Sequence, residues 1–127
     1  FARLSLFLTG VDIAPGAEIG PGLIIAHGVG LVIGDQVRIG SDAILLHQAT
    51  IGAPSVGRID QMPVLGDNVL VASGAGLIGA IRIGNDVFIG ANAVVTGDVP
   101  DGAKVTCGAE MEITVEQPAS VPANRTT

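Results

Sequence analysis

The sequence predicts an all-β solenoid, a left-handed parallel β-helix of triangular coils, on three observations. Aliphatic residues recur every six positions. The residue after each is usually small. Aromatic residues are scarce, with three Phe, no Trp and no Tyr among 127 residues, against nineteen Gly. Globular cores ordinarily use aromatics to fill volume, whereas a narrow prism of stacked aliphatics does not need them.

The ladder runs in three registers. Ile13, Ile19 and Ile25 form the first, and Ile33, Ile39, Leu45 and Ile51 the second. Leu65, Val71, Leu77, Ile83, Ile89 and Val95 form the third, so thirteen positions in fixed phase are all aliphatic. A small residue follows most of them, among them Gly20, Gly34, Gly40, Gly52, Gly66, Ala72, Gly84 and Gly90. Four residues past each, Ala or Val recurs, as at Ala17, Val37, Ala43, Ala49, Val69, Ala75, Val87 and Ala93. This period is neither the 2 of an amphipathic strand nor the 3.6 of a helix. It fits a short strand plus a tight corner, repeated. Three units close a coil, and the coils stack at about 4.8 Å, the spacing between neighbouring strands. Thirteen units predict a little over four coils. Small residues are expected to permit the corners.

Two breaks interrupt the period. Two extra residues fall near Val29–Val32, between Ile25 and Ile33. Eight more fall between Ile51 and Leu65, so residues 53–63, Ala53-Pro54-Ser55-Val56-Gly57-Arg58-Ile59-Asp60-Gln61-Met62-Pro63, are expected to loop out. Loops held by a rigid scaffold are where function concentrates. The expected organisation is a capping or helical segment over 1–10, the β-helix over 11–113 and a loose tail over 114–127. The sequence opens at Phe1 rather than Met, and we expect a fragment or a trimmed chain.

The formal charge is −6, with six basic residues spread along the chain. Nucleic-acid binding needs clustered Lys and Arg to displace counterions, so it is not expected, and neither is binding to an anionic membrane. No apolar run approaches the roughly 20 residues of a membrane span. The single cysteine, Cys107, rules out an intrachain disulfide and fits a reducing cytoplasm.

Two histidines exist, His27 and His47. Each is the third residue of its hexad, and the hexads are three units apart. They should therefore occupy equivalent positions on adjacent coils. Asp12 ends the hexad before Ile13, one coil before the hexad of His27, on the same side of the triangle. A carboxylate beside an imidazole can orient the ring and support its charge once it takes a proton, which makes Asp12 and His27 a candidate general-base pair. The plainer readings are a turn or surface residue for His47 and a corner hydrogen bond for Asp12. A catalytic zinc site normally has three protein ligands. No motif places a third beside the two His, so no metal is expected. Asp35, Asp67 and Asp86 read as corner residues. No P-loop, dinucleotide fingerprint or Gly-x-Ser-x-Gly elbow is present.

The segment Thr9-Gly10-Val11-Asp12-Ile13-Ala14-Pro15-Gly16-Ala17-Glu18-Ile19-Gly20, followed by His27-Gly28-Val29-Gly30-Leu31-Val32-Ile33-Gly34, resembles the start of the β-helix domain of bacterial serine acetyltransferases. Ala49-Thr50-Ile51-Gly52-Ala53 resembles that family's Val-Thr-Leu-Gly-Gly. Gly84-Asn85-Asp86-Val87-Phe88-Ile89-Gly90-Ala91-Asn92-Ala93-Val94-Val95 is similar to hexapeptide acyltransferases in general. The likeness covers roughly Leu8 to Ala109. It implies a homotrimer with active sites in clefts between neighbouring β-helices and acetyl-CoA as co-substrate. It also implies His27 as the base on the acceptor hydroxyl, oriented by Asp12, with direct attack on the thioester. Gly52, Ala53, Ser73 and Ala91 become candidates for the edge along which the pantetheine arm runs.

The departures are equally specific. Where the family's long loop carries Asp-Arg-His-Pro, this chain has Asp60-Gln61-Met62-Pro63. The Arg and His that implies for holding serine are gone, and with them a charge-assisted hydrogen bond. Gln61 and Met62, with His47, become the candidate acceptor-binding residues. They suit a less charged or carrier-bound small-molecule acceptor better than free serine. The helical domain that precedes the β-helix in typical members is missing or truncated, so a dimer of trimers is not expected. The tail ends Arg125-Thr126-Thr127 rather than in the Ile that docks into cysteine synthase, so that partnership is not expected. The alternatives are an ordinary serine acetyltransferase that tolerates the loop changes, a β-helix scaffold without catalysis that oligomerises or binds a ligand, and a γ-type carbonic anhydrase, which would need a third metal-binding His.

Overall fold

The structure, a computed structural model, describes residues 10–107. The expected capping segment, apart from Gly10, and the expected tail lie outside the described residues. Fourteen short strands wind into a solenoid of about five turns. They fall into three parallel sheets, one on each face of a triangular prism.

The first face holds β1 (Asp12–Ile13), β4 (Val32–Ile33), β7 (Thr50–Gly52), β10 (Gly76–Ile78) and β13 (Val94–Val95), stacked in that order. The second holds β2 (Glu18–Ile19), β5 (Arg38–Ile39), β8 (Val64–Leu65) and β11 (Arg82–Ile83). The third holds β3 (Ile24–Ala26), β6 (Ile44–Leu46), β9 (Leu70–Val71), β12 (Phe88–Ile89) and β14 (Lys104–Val105). All thirteen ladder aliphatics lie in strands. They pair in register as Ile13–Ile33–Ile51–Leu77–Val95, Ile19–Ile39–Leu65–Ile83 and Ile25–Leu45–Val71–Ile89. The core is made of these columns plus the smaller aliphatics that precede each strand, such as Leu31, Ala49, Ala75 and Ala93. It contains no buried polar or charged side chain among the described residues. The stack extends two units further than the ladder count, which completes the fifth coil. Val99 bridges Ile83, and Val105 pairs with Ile89. A shortened step from Val95 to Val99 hid these units from the six-residue count.

The winding is left-handed, against the right-handed habit of parallel crossovers. The strands here are joined by corners and one loop rather than by crossover helices, and at two of the three edges a residue in the left-handed region turns the chain. The second-to-third corners use Gly22, Asp42, Asn68, Asp86 and Gly102 at φ between 58° and 84°. The third-to-first corners use Gly30, Gln48, Gly74 and Asn92 at φ between 60° and 79°. Gly, Asn and Asp are the residues that adopt this conformation most readily.

The small residue after each ladder aliphatic has a different cause from the expected one. Gly20, Gly40, Gly66 and Gly84 do not have positive φ; they are short of space. A Cβ on Gly40 would collide with Asp67 Oδ1, on Gly66 with Asn85 Oδ1 and on Gly84 with Asp101 Oδ1. Those oxygens fold over the glycines to accept backbone hydrogen bonds. Ser41 N–H donates to Asp67 at 2.8 Å, Asp67 N–H to Asn85 at 2.7 Å and Asn85 N–H to Asp101 at 2.8 Å. Asn68 Nδ2 also donates to Asp86 Oδ1 at 2.8 Å. Asp67 and Asp86 are thus corner residues, as read from the repeat.

Both breaks in the period sit slightly away from where the sequence put them. Val32 is already in register with Thr50, and Ala26 still pairs with Leu46. The two extra residues therefore lie in the corner around His27-Gly28, before Val29–Val32. In the long excursion, Pro63 does not loop out. It is fully buried, and its carbonyl accepts the Arg38 N–H at 3.3 Å. The place is a corner at the edge of a buried column, where a residue without an N–H leaves no ladder bond unmade. A single 3-10 turn, Val56–Arg58, occupies the exposed part of the loop.

Candidate functional site

The corner between the third and first faces carries the candidate chemistry. β3 ends at Ala26 and β6 at Leu46, paired in register, so His27 and His47 leave the sheet side by side. Their ring centroids are 6.4 Å apart, edge to face at 83°. Continuing down the corner, Gly74 N–H donates to the His47 carbonyl at 3.0 Å and Asn92 N–H to the Ser73 carbonyl at 2.9 Å. Gln48 N–H likewise donates to the Val29 carbonyl at 2.9 Å, so the column in register runs Val29, His47, Ser73, Ala91, each on its own coil, and His27 stands beside it in the two-residue insertion.

His27 is exposed and sits in the left-handed region at φ 52°. That conformation is uncommon for a residue with a Cβ. The extra residues of the corner produce it, because the chain must swing outward after Ala26 to rejoin the register at Gly30. Gly28 is held in a tight place: a Cβ there would lie 2.7 Å from both Val11 Cγ2 and Ile25 Cγ2. Gly30 N–H then donates to the Gly10 carbonyl at 2.7 Å, which ties the corner to the segment leading into β1.

His47 is half-buried. Its Nδ1 is buried and has no hydrogen-bond partner among the described residues. Nε2 is not buried, so it is the ring nitrogen open to solvent.

Asp12 lies on β1, in register with Val32. Ile13 points inward with the ladder, so Asp12 faces outward on the first face, beside the corner that delivers His27. No side-chain hydrogen bond joins Asp12 to His27 among the described residues. The two groups share an edge of the prism without forming a closed pair.

Gly52 ends β7 on the first face, in register with Ile78, and Ala53 follows it. A Cβ on Gly52 would meet nothing within 4 Å. The space beside it is open, unlike that at the glycines of the second face. Gln61 and Met62 come from the long loop and are half-buried. Met62 packs against the core, and a Cβ on Gly34 would lie 3.1 Å from its Cε. Its thioether thus pins the loop onto the first-to-second corner, away from the His column. Gln61 N–H donates to the Arg58 carbonyl at 3.0 Å, closing the turn.

The three outer surfaces differ in character. The second face presents Glu18, Arg38 and Arg82, with Glu18 and Arg38 3.8 Å apart as an exposed ion pair. The third presents Ile24, Ile44, Leu70 and Phe88, with the Lys104 ammonium 5.6 Å from the Phe88 ring centre. The apolar residues left exposed near the His column are Ile24, Val29, Val32 and Val94. A shallow depression of about 380 Å³ lies on the second face between Glu18, Arg38 and Leu65, remote from both imidazoles. Among the described residues, no group of three or more His, Cys, Asp or Glu is arranged to hold a metal ion. No helix among them is long and apolar enough to cross a membrane.

Comparison with known proteins bears on this arrangement. Residues 62–97 match the family "Bacterial transferase hexapeptide (six repeats)". A serine acetyltransferase of Helicobacter pylori is 45% identical over 89 residues, covering 70% of this chain and 52% of the relative. One from Staphylococcus aureus is 43% identical over 89 residues, covering 70% of this chain and 42% of the relative. The chain thus spans about half the length of these relatives. Among solved structures, serine acetyltransferase isoform 3 of Entamoeba histolytica in complex with cysteine superposes with a TM-score of 0.77 at 34% identity, over 95% of this chain and 41% of that one. The Brucella abortus serine acetyltransferase in complex with coenzyme A gives a TM-score of 0.79 at 31% identity, over 83% of this chain and 42% of that one.

Proposed function

This chain is a serine acetyltransferase-like member of the left-handed β-helix, hexapeptide-repeat acyltransferase superfamily, and on that footing we propose that it transfers an acetyl group from acetyl-CoA to the hydroxyl of a small acceptor. The observation that carries the reading is the His27 corner. A two-residue insertion at this corner holds one imidazole outward, beside the outward carboxylate of Asp12.

In the reaction, His27 takes the proton of the acceptor hydroxyl as the oxygen attacks the thioester carbonyl carbon. A carbon–oxygen bond forms. The carbon–sulfur bond breaks as the tetrahedral centre collapses, and the proton on His27 passes to the departing thiolate. The products are the acetyl ester and CoA with a free thiol. Asp12 orients the ring and supports its transient charge. The pair is not closed in the free chain, in keeping with catalytic hydrogen bonds that tighten when substrate arrives. Ser73 and Ala91, in the column below His47, leave that edge slim enough for a pantetheine arm, while Gly52 and Ala53 stand across the first face at the far end of β7.

The loop supports an acceptor unlike free serine. Met62 is turned into the packing and Gln61 is neutral, so neither offers a cation to a carboxylate. A less charged or carrier-bound hydroxyl fits better. Exposed Ile24, Val29, Val32 and Val94 around the same edge support assembly as a homotrimer with the acceptor between protomers. We propose no resident metal and a cytoplasmic setting.

The test follows CoA thiol release with acetyl-CoA, using L-serine and a panel of neutral alcohols and amines. Turnover is expected with a neutral acceptor and lost in His27→Ala. Equal or faster turnover with serine would refute the altered-acceptor reading. Unchanged turnover in His27→Ala would remove His27 as the base. The open Asp12–His27 geometry favours one further reading, a β-helix scaffold without catalysis, which would bind CoA without turning it over.

A further inference from the structure

We infer that His47 is a second catalytic residue, donating a hydrogen bond through Nε2–H to the thioester carbonyl oxygen. The inference rests on the acetyl-transfer reading above, and it starts from the one buried side-chain polar atom that lacks a partner among the described residues, His47 Nδ1.

A neutral imidazole has one N–H donor and one lone-pair acceptor. Placing the proton on Nδ1 would bury a donor with nothing to receive it, the costlier arrangement because an unmet buried donor loses its hydration outright. Placing it on Nε2 leaves only a lone pair unmatched and puts the N–H where solvent, or a substrate, can reach it. The environment thus selects the tautomer that presents a donor outward.

The register then fixes what that donor meets. His27, in the inserted corner of the preceding coil, lies beside His47 with ring centroids 6.4 Å apart, and Ser73 follows His47 by one coil in the column Val29, His47, Ser73. The acceptor hydroxyl lies at His27, and the pantetheine arm approaches along Ser73 and Ala91. The carbonyl that joins them must cross the level of His47. Negative charge gathers on that carbonyl oxygen as the tetrahedral centre forms, and a donor already in place there stabilises the transition state more than the bound thioester. The edge-to-face packing against His27 holds the ring in that position. His47 is therefore an oxyanion donor and not a second base.

The test is steady-state kinetics on His47→Ala and His47→Gln beside the wild type and His27→Ala, each checked for its thermal transition. The Gln side chain restores an N–H near Nε2. Removing an oxyanion donor typically costs about 10²–10³ in kcat. We expect His47→Ala to lose that much kcat with little change in KM for acetyl-CoA, and His47→Gln to recover at least tenfold of it. A wild type that turns over and a His27→Ala that does not, together with a His47→Ala of unchanged kcat, would overturn the role of His47 alone. The same pattern with a raised KM and unchanged kcat would do so too, since it would make His47 a ground-state contact. Failure of His47→Gln to recover kcat while its thermal transition matches the wild type would also overturn it. Absence of wild-type turnover with every acceptor would overturn the underlying reading as well.

Discussion

Ile51 and Ile13 occupy the same column of the first face, two coils apart, and should respond very differently to truncation. Ile51 is 0% exposed, packed between Ile33 and Leu77 in register above and below. Among the described residues, Ile13 has a ladder neighbour on one side only, and it is half-buried. Ile51→Ala removes three carbons, about 2.4 kcal/mol of transfer free energy at roughly 0.8 kcal/mol per buried carbon. The cavity cannot close, because backbone ladders hold the coils about 4.8 Å apart, so a further cost of about 1–2 kcal/mol is added and the total reaches about 3.5–4.5 kcal/mol. For Ile13→Ala the buried share is about half and the site opens at one end, so about 1–1.5 kcal/mol is expected. Denaturant unfolding of both variants and the wild type, at one protein concentration, measures the difference through the midpoint at constant m. Equal losses would refute the claim that the inner coils are rigidly packed and the first coil is not. A loss for Ile51→Ala below about 2 kcal/mol would show that the prism relaxes around the hole, contrary to the argument.

Other outcomes follow from the same geometry. Gly66→Ala should lower the thermal transition by several degrees, because the new Cβ strikes Asn85 Oδ1 and lies 3.0 Å from the Gly84 backbone; an unchanged transition would show that the corner oxygens are free to move. Gly52→Leu should leave that transition in place, since its Cβ meets nothing, while raising KM for acetyl-CoA tenfold or more if the pantetheine passes there, as thiol-release kinetics would report. Asp67→Ala removes the acceptor of the Ser41 N–H and should cost about 1 kcal/mol, read by denaturant unfolding. Asp12→Asn should lower kcat by about 10²-fold with the fold intact if the carboxylate supports the charged ring, and no change in kcat would reduce Asp12 to a surface residue.

The architecture was largely legible in the chain itself. A ladder that repeats every six residues dictates which side chains face inward, and all thirteen do so. The last two units of the fifth coil escaped because the step from Val95 to Val99 is two residues short, though Val99 and Val105 are themselves six apart and could have signalled them. The glycine rule was visible while its reason was not. The Cβ exclusion at Gly40, Gly66 and Gly84 comes from oxygens 17–27 residues further along the chain, and only stacking brings them overhead.

At the candidate site, the closeness of His27 and His47 was legible in the sequence, because each stands two residues after a ladder aliphatic of one column, Ile25 and Leu45. Tertiary structure decided the rest. It moved the two-residue insertion into the His27 corner, turned Met62 inward onto Gly34, buried Pro63 in the wall and left Asp12 beside His27 without a bond. It also singled out His47 Nδ1, a buried atom without a partner among the described residues, which no pattern of residue types could reveal. Periodicity fixes the direction of each side chain, since that depends only on position within a repeat. Burial, tautomer and pairing depend on what the neighbouring coils place alongside, and these are distances through space that the order of residues does not contain.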